Sequence, residues 1–156
     1  MLRLASYDVV FQEIPGEVTL ALNLSGCPNR CEGCHSPHLR GDIGETLDET
    51  LLDGLLRTYG SSVTCVCFMG GDADPAEVER LALRVKRHGG GTLKAGWYSG
   101  RQAFPAGCEY TSFDYVKLGP YIPECGGLRS EGTNQRMYRV DGDGVVDITE
   151  SFRERC

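Results

Sequence analysis

Apolar positions along the chain alternate between a period of two and a period near 3.6, and the switches fall at glycine and proline. Residues 4–11 and 18–24 read as strands on either side of the turn Ile14-Pro15-Gly16. Thr46-Leu47-Asp48-Glu49 reads as a capping box that opens a helix. Leu51, Leu52, Leu55, Leu56 and Tyr59 then share one helical face, and Gly60 ends it. Residues 63–69 form an apolar run that stops at Gly70-Gly71-Asp72. A second helix starts with Asp74 as N-cap and Pro75 in the first position. Val78, Leu81, Ala82 and Val85 form its apolar stripe, and Gly89-Gly90-Gly91 closes it. Residues 93–98 follow as a strand, then an irregular stretch around Pro105 and Gly107, then a short strand over 115–118 that leads to Gly119-Pro120-Tyr121. The tail predicts a hairpin of residues 136–140 and 145–148 around Asp141-Gly142-Asp143-Gly144.

Strand–helix–strand–helix–strand is the pattern of a mostly parallel α/β sheet. A complete eight-fold barrel takes roughly 250 residues, so a chain of 156 residues predicts one domain over 1–156: an open, partial barrel with a C-terminal hairpin. No internal repeat, linker or low-complexity tract interrupts it. Sixteen basic against 22 acidic residues give a net charge of −6, which argues against a sequence-independent grip on nucleic-acid phosphates but leaves room for a local basic patch. No apolar run reaches the length of a membrane span. Arg3, Asp8 and Glu13 interrupt the first fifteen residues, which do not form a signal peptide. Without a secretory signal, eight cysteines point to metal or redox use in the cytoplasm rather than to a disulfide framework.

The densest chemistry lies in Ser25-Gly26-Cys27-Pro28-Asn29-Arg30-Cys31-Glu32-Gly33-Cys34-His35. Cys27, Cys31 and Cys34 are too close in sequence for one helix or strand face to present all three, so they share a loop. A zinc site would need a fourth protein ligand, from His35, His38 or a remote cysteine. Three cysteines alone suit a cubane iron–sulfur cluster with one iron uncovered, and Gly26 and Gly33 allow backbone N–H groups to reach its sulfurs. Gly70-Gly71-Asp72 ends the next strand, where glycines let a backbone approach a ligand closely and a carboxylate suits an ammonium. Read structurally, the same three residues are a tight turn before a helix. Trp97 reads as a core aromatic, and Tyr98 lines either the core or a ligand pocket. Cys65 and Cys67 share a strand face, as core residues or as a thiol pair. Cys108, Cys125 and Cys156 have no metal-ligand spacing with one another; His35 adjoins the cysteine loop, and His38 and His88 read as surface residues.

The cysteine loop resembles the C-x-x-x-C-x-x-C signature of the radical S-adenosylmethionine (SAM) superfamily, with Gly33 before the third cysteine as in small glycyl-radical activating enzymes. Met69-Gly70-Gly71-Asp72-Ala73-Asp74-Pro75 is similar to that family's Gly-Gly-Glu turn, with Asp in place of Glu. Across nearly the whole chain, including Trp97-Tyr98-Ser99-Gly100, Lys117-Leu118-Gly119-Pro120-Tyr121-Ile122 and Thr133-Asn134-Gln135-Arg136, the sequence resembles the activating components of anaerobic (class III) ribonucleotide reductases. The resemblance implies an oxidoreductase in which Cys27, Cys31 and Cys34 hold one 4Fe–4S cluster, with Gly33, Cys34, His35, Gly70, Gly71, Asp72 and Tyr98 around SAM. It implies that the cluster and SAM carry the catalysis, with no further catalytic side chain. Reductive cleavage of SAM then leaves a glycyl radical on the large reductase subunit, with electrons from a donor such as flavodoxin or ferredoxin. An activase of another glycyl-radical enzyme or a small radical SAM modifying enzyme would keep the same motifs. A non-enzymatic iron–sulfur electron carrier or a zinc-binding module would instead close the site with four protein ligands.

Overall fold

A computed structural model describes residues 2–25, 44–88, 91–142 and 144–152. In chain order these form β1 (Leu2–Val10), β2 (Thr19–Leu24), β3 (Glu45–Leu47), α1 (Glu49–Tyr59), β4 (Cys65–Met69), α2 (Pro75–Arg87), β5 (Lys94–Tyr98), β6 (Tyr115–Leu118), β7 (Arg136–Asp141) and β8 (Gly144–Asp147). All eight strands belong to one sheet, in the order β3-β1-β2-β4-β5-β6-β7-β8.

The sheet is less parallel than the sequence pattern suggests. β2, β4, β5 and β6 run parallel through three pairings, and the four outer pairings are antiparallel. The reason is connection length. A helical crossover joins β4 to β5, whereas β1–β2 and β7–β8 are joined by short turns that only antiparallel neighbours can use.

α1 also starts later than the capping-box reading places it. Thr46 and Leu47 belong to β3, and Asp48 is the N-cap, its carboxylate accepting from Leu51 N at 2.9 Å. Pairing with Arg3 and Leu2 recruits Thr46 and Leu47 into the sheet, which moves the cap two residues along. Gly60 caps α1 in a right-handed conformation, φ −59°, so it does not end the helix by a left-handed turn. α2 keeps Asp74 at its N-cap and Pro75 in its first turn.

Alternation sorts the strand residues into two layers. Leu20, Leu22 and Leu24 of β2, Val66 and Phe68 of β4, Ala95 and Trp97 of β5, and Val116 and Leu118 of β6 meet the buried faces of both helices. On the opposite face, Cys65, Cys67 and Tyr115 pack under Ile14, Met137 and Phe152, with Met69 and Tyr98 at the edge of that cluster. Gly96 lies there too, where a Cβ would stand 2.7 Å from the Ile14 side chain. No helix among the described residues is long and apolar enough to cross a membrane.

Candidate cofactor site at the carboxyl ends of the parallel strands

Register places four residues in one row across the second face. Asn23 pairs with Met69, Met69 with Tyr98, and Tyr98 with Lys117. The carboxyl ends of the parallel strands follow directly, which is where α/β folds gather ligand-binding groups. Cys27, Cys31, Cys34, Gly33 and His35 lie outside the described residues, as do Gly26, His38 and Cys156. Among the described residues no group of three His, Cys, Asp or Glu side chains is placed to hold a metal.

The structure brings Gly70, Gly71 and Asp72 to the end of β4, beside the end of β2. Gly70 (φ +113°) and Gly71 (φ +87°) both take backbone conformations that L side chains rarely adopt. Gly70 is locked by two bonds to β5: its N–H donates to Tyr98 O at 3.0 Å, and its carbonyl accepts from the Trp97 indole at 2.7 Å. Gly71 O accepts from Asp74 N at 3.0 Å and so leads into α2. A Cβ on Gly70 would approach Leu24 O to 3.3 Å. A Cβ on Gly71 would instead stand 2.6 Å from Val78 and 3.0 Å from Leu24, inside the helical core. Gly70 faces the backbone at the end of β2, whereas Gly71 is bare because the Val78 and Leu24 side chains leave no space.

Asp72 is 1% exposed. Its two carboxylate oxygens accept from the Ser99 hydroxyl at 2.6 Å and Gly100 N at 2.8 Å, and its own carbonyl accepts from the Arg101 guanidinium at 3.0 Å. The carboxylate therefore ties the end of β4 to the end of β5. Tyr98 is partly buried; its hydroxyl donates to the Glu13 carbonyl, and burial pushes its phenol well above the usual range. Trp97 is fully buried and stacks on Phe113 at 5.4 Å between centroids, the core role expected for it.

Two features of this rim escape pattern reading. Lys117 is 8% exposed; its ammonium donates to Ser99 O at 3.2 Å and Gly119 O at 2.8 Å, and stands 5.9 Å from the centre of the Tyr98 ring. The available signal is a lysine at an inward position of Tyr115-Val116-Lys117-Leu118, otherwise a buried strand. Asn134 and Gln135 are the second feature. Asn134 donates to Pro120 O at 3.0 Å, while Gly119 (φ +113°) leaves room for the Gln135 backbone, which a Cβ would approach to 3.0 Å. The Asn-Gln pair thus braces the turn after β6.

Cys65 and Cys67 are fully buried, and burial raises both thiols well above the ordinary range. With the thiolate suppressed, they are core side chains rather than a reactive pair. Cys108 and Cys125 are free thiols, and burial raises Cys108 as well. Comparison of the chain with protein-family models, with curated proteins and with solved structures gives no match to any of them.

Proposed function

We propose that this chain is a radical SAM activase that generates a glycyl radical on anaerobic ribonucleotide reductase, built as an open, partial (β/α) barrel. The observation that carries the reading is the neighbourhood of its two motifs. β2 and β4 are parallel neighbours, so Cys27-x-x-x-Cys31-x-x-Cys34 begins three residues beyond the strand end at Leu24, and Leu24 is also what Gly70 abuts.

Cys27, Cys31 and Cys34 would hold the 4Fe–4S cluster as thiolates, with Gly33 and His35 alongside. The positive-φ backbone of Gly70 would meet the SAM ammonium. Gly71, Ser99 and Asp72 would fix that backbone, and Tyr98 would stand on the inner wall. When bound, the cluster and SAM supply one-electron cleavage of a carbon–sulfur bond. The chain's own work is to orient, to exclude water and to leave one side open for a peptide loop. A low-potential donor such as flavodoxin or ferredoxin would reduce the protein in the cytoplasm.

Anaerobic reconstitution tests this directly. Wild type is expected to bind iron and sulfide and, once reduced, to release 5′-deoxyadenosine from SAM, whereas Cys31→Ala does neither. With the reductase subunit added, electron paramagnetic resonance should show a doublet that collapses when the partner's glycines carry deuterium at the α-carbon. A small molecule consumed in step with SAM and no protein radical would replace the activase with a modifying enzyme. A protein that closes its metal with four ligands and ignores SAM would be an electron carrier or a zinc module.

A further inference from the structure

α1 and α2 lie side by side and are laced by ion pairs over most of their length. Arg80 pairs with Glu49 and Glu77; Arg84 pairs with Asp53 through contacts of 2.7 and 2.8 Å and reaches Glu49 at 3.4 Å. The lacing stops before the helices do. The side chains of Arg57 in the last turn of α1, Arg87 in the last turn of α2 and His88 at its C-cap form no hydrogen bond or ion pair with any described residue. With Asp53 and Arg84 they line one cleft of about 390 Å³.

The charges in this cleft do not balance. Three guanidinium groups and an imidazole face one carboxylate, which already accepts two N–H bonds from Arg84. Cations in a last turn ordinarily offset the helix dipole; Lys86, in the same turn of α2, points away from this cleft and donates to Thr111 O at 3.0 Å. Arg57 and Arg87 come from different helices and converge on one concavity instead. Forked guanidinium groups fit tetrahedral oxyanions, which offer several acceptors and more than one negative charge. A cleft of this volume suits a small ligand, and a chain of net charge −6 makes a poor polyelectrolyte partner for a nucleic-acid duplex.

We propose that the cleft between the carboxyl ends of α1 and α2 binds the phosphate group of a small molecule, either inorganic phosphate or a nucleotide. Each helix leads back to the amino end of the following strand, so this site lies at the opposite end of the sheet from Asp72. It is independent of the radical SAM reading.

Isothermal titration with inorganic phosphate, and separately with magnesium-free adenosine triphosphate, tests the proposal at an ionic strength held constant with sodium chloride. Wild type is expected to give saturable heat. Arg57→Gln/Arg87→Gln should weaken binding by roughly tenfold or more, the loss of at least one charge-assisted hydrogen bond. Arg129→Gln/Arg139→Gln makes the same change in net charge elsewhere and should leave affinity intact. Equal affinity for the two ligands assigns the site to the phosphate group alone. Tighter nucleotide binding that the Arg57/Arg87 pair abolishes extends it to a nucleotide. Both cleft residues are exposed, so the fold should survive; if the double variant unfolds, Arg57→Gln alone gives the same readout. No saturable heat with either ligand, or undiminished affinity without Arg57 and Arg87, overturns the proposal.

Discussion

Among the described residues, each rim of the parallel strands holds one buried carboxylate, and the two are held by different chemistry. At the amino ends, Glu17 accepts from Lys94 at 2.7 Å, the Thr64 hydroxyl at 2.7 Å and the Tyr115 hydroxyl at 2.9 Å. Burial pushes its carboxyl up, but the bonds from Lys94, Thr64 and Tyr115, with the lysine's charge, outweigh this and hold it below the ordinary glutamate value. The same contacts act in reverse on the partners: burial and Glu17 raise the Tyr115 phenol, and Glu17 raises Lys94. At the carboxyl ends, Asp72 takes a hydroxyl and a backbone amide, directly after two glycines at positive φ. One rim closes the fold by satisfying a charge with donors from three segments. The other uses a carboxylate to hold a backbone shape that only glycine tolerates.

Substitution at Gly71 is the most forceful way to break the comparison, because there the carboxyl-end rim borrows space from the core. Gly71→Val places its Cβ against Val78 at a φ of +87°. Overpacking and a left-handed backbone together should cost about 3 kcal/mol or more. A urea titration would show the transition midpoint falling sharply or folding lost altogether. A variant of wild-type stability that has lost only SAM affinity would instead make Gly71 a ligand cradle.

Glu17 comes next. Glu17→Ala removes the shared acceptor of Lys94, Thr64 and Tyr115 and should destabilise by about 2–3 kcal/mol. The acid response has a definite sign. The folded pKa is depressed, so the unfolded chain binds more protons in the window between the two values. Glu17's contribution is complete above the unfolded value of about 4.3, and it is lost as pH falls through the folded one. Glu17→Gln should therefore differ most from wild type above about pH 5 and converge with it in acid. Parallel stability curves down to the acid transition would mean that Glu17 ionises in the folded protein as it does in the unfolded chain.

Asp72→Asn should have a smaller effect, because Ser99 and Gly100 are neutral donors and one of them can adapt. The amide oxygen can still accept from Gly100 N, while the new NH2 group must face Ser99, whose hydroxyl oxygen already accepts from Arg101 N at 3.1 Å. A loss of about 1 kcal/mol is expected, read from the thermal midpoint. A loss as large as that of Glu17→Ala would remove the distinction between the rims.

The amino-end and carboxyl-end rims were unequally legible in the sequence. Gly70-Gly71-Asp72 stands out because two glycines and an acid between a β-like run and a proline-started helix have few structural uses. Trp97 and the stripe Val78, Leu81, Ala82 and Val85 follow from periodicity and are fully buried. Glu17 could not be recognised, because its partners lie 47, 77 and 98 residues away and only strand register brings them together. The C-terminal hairpin was legible and forms as the antiparallel pair β7–β8, whereas the β1–β3 edge was hidden because β3 has three residues, too few to show a period. Nor does composition reveal that the Gly71 side of the turn faces leucine and valine, since the direction of a Cβ depends on a backbone angle that no pattern encodes.

Lys94→Met should change least, although it removes the only formal positive charge hydrogen-bonded to Glu17 among the described residues. The lysine side chain is 49% exposed, so water screens the pair, and methionine keeps most of the packing of the stem. About 0–1 kcal/mol is expected at pH 7, as for other half-exposed pairs, with wild type and variant converging further in high salt. Thr64 and Tyr115 would still serve the carboxylate, but without the ammonium its folded pKa rises toward the unfolded value. The measurable consequence is a flatter dependence of stability on pH as pH falls below about 4.3, read from urea midpoints at several pH values. A loss above about 2 kcal/mol at pH 7 would mean that the pair behaves as a dry one. The amino rim would then be held by its charge pair rather than by the Thr64 and Tyr115 hydroxyls.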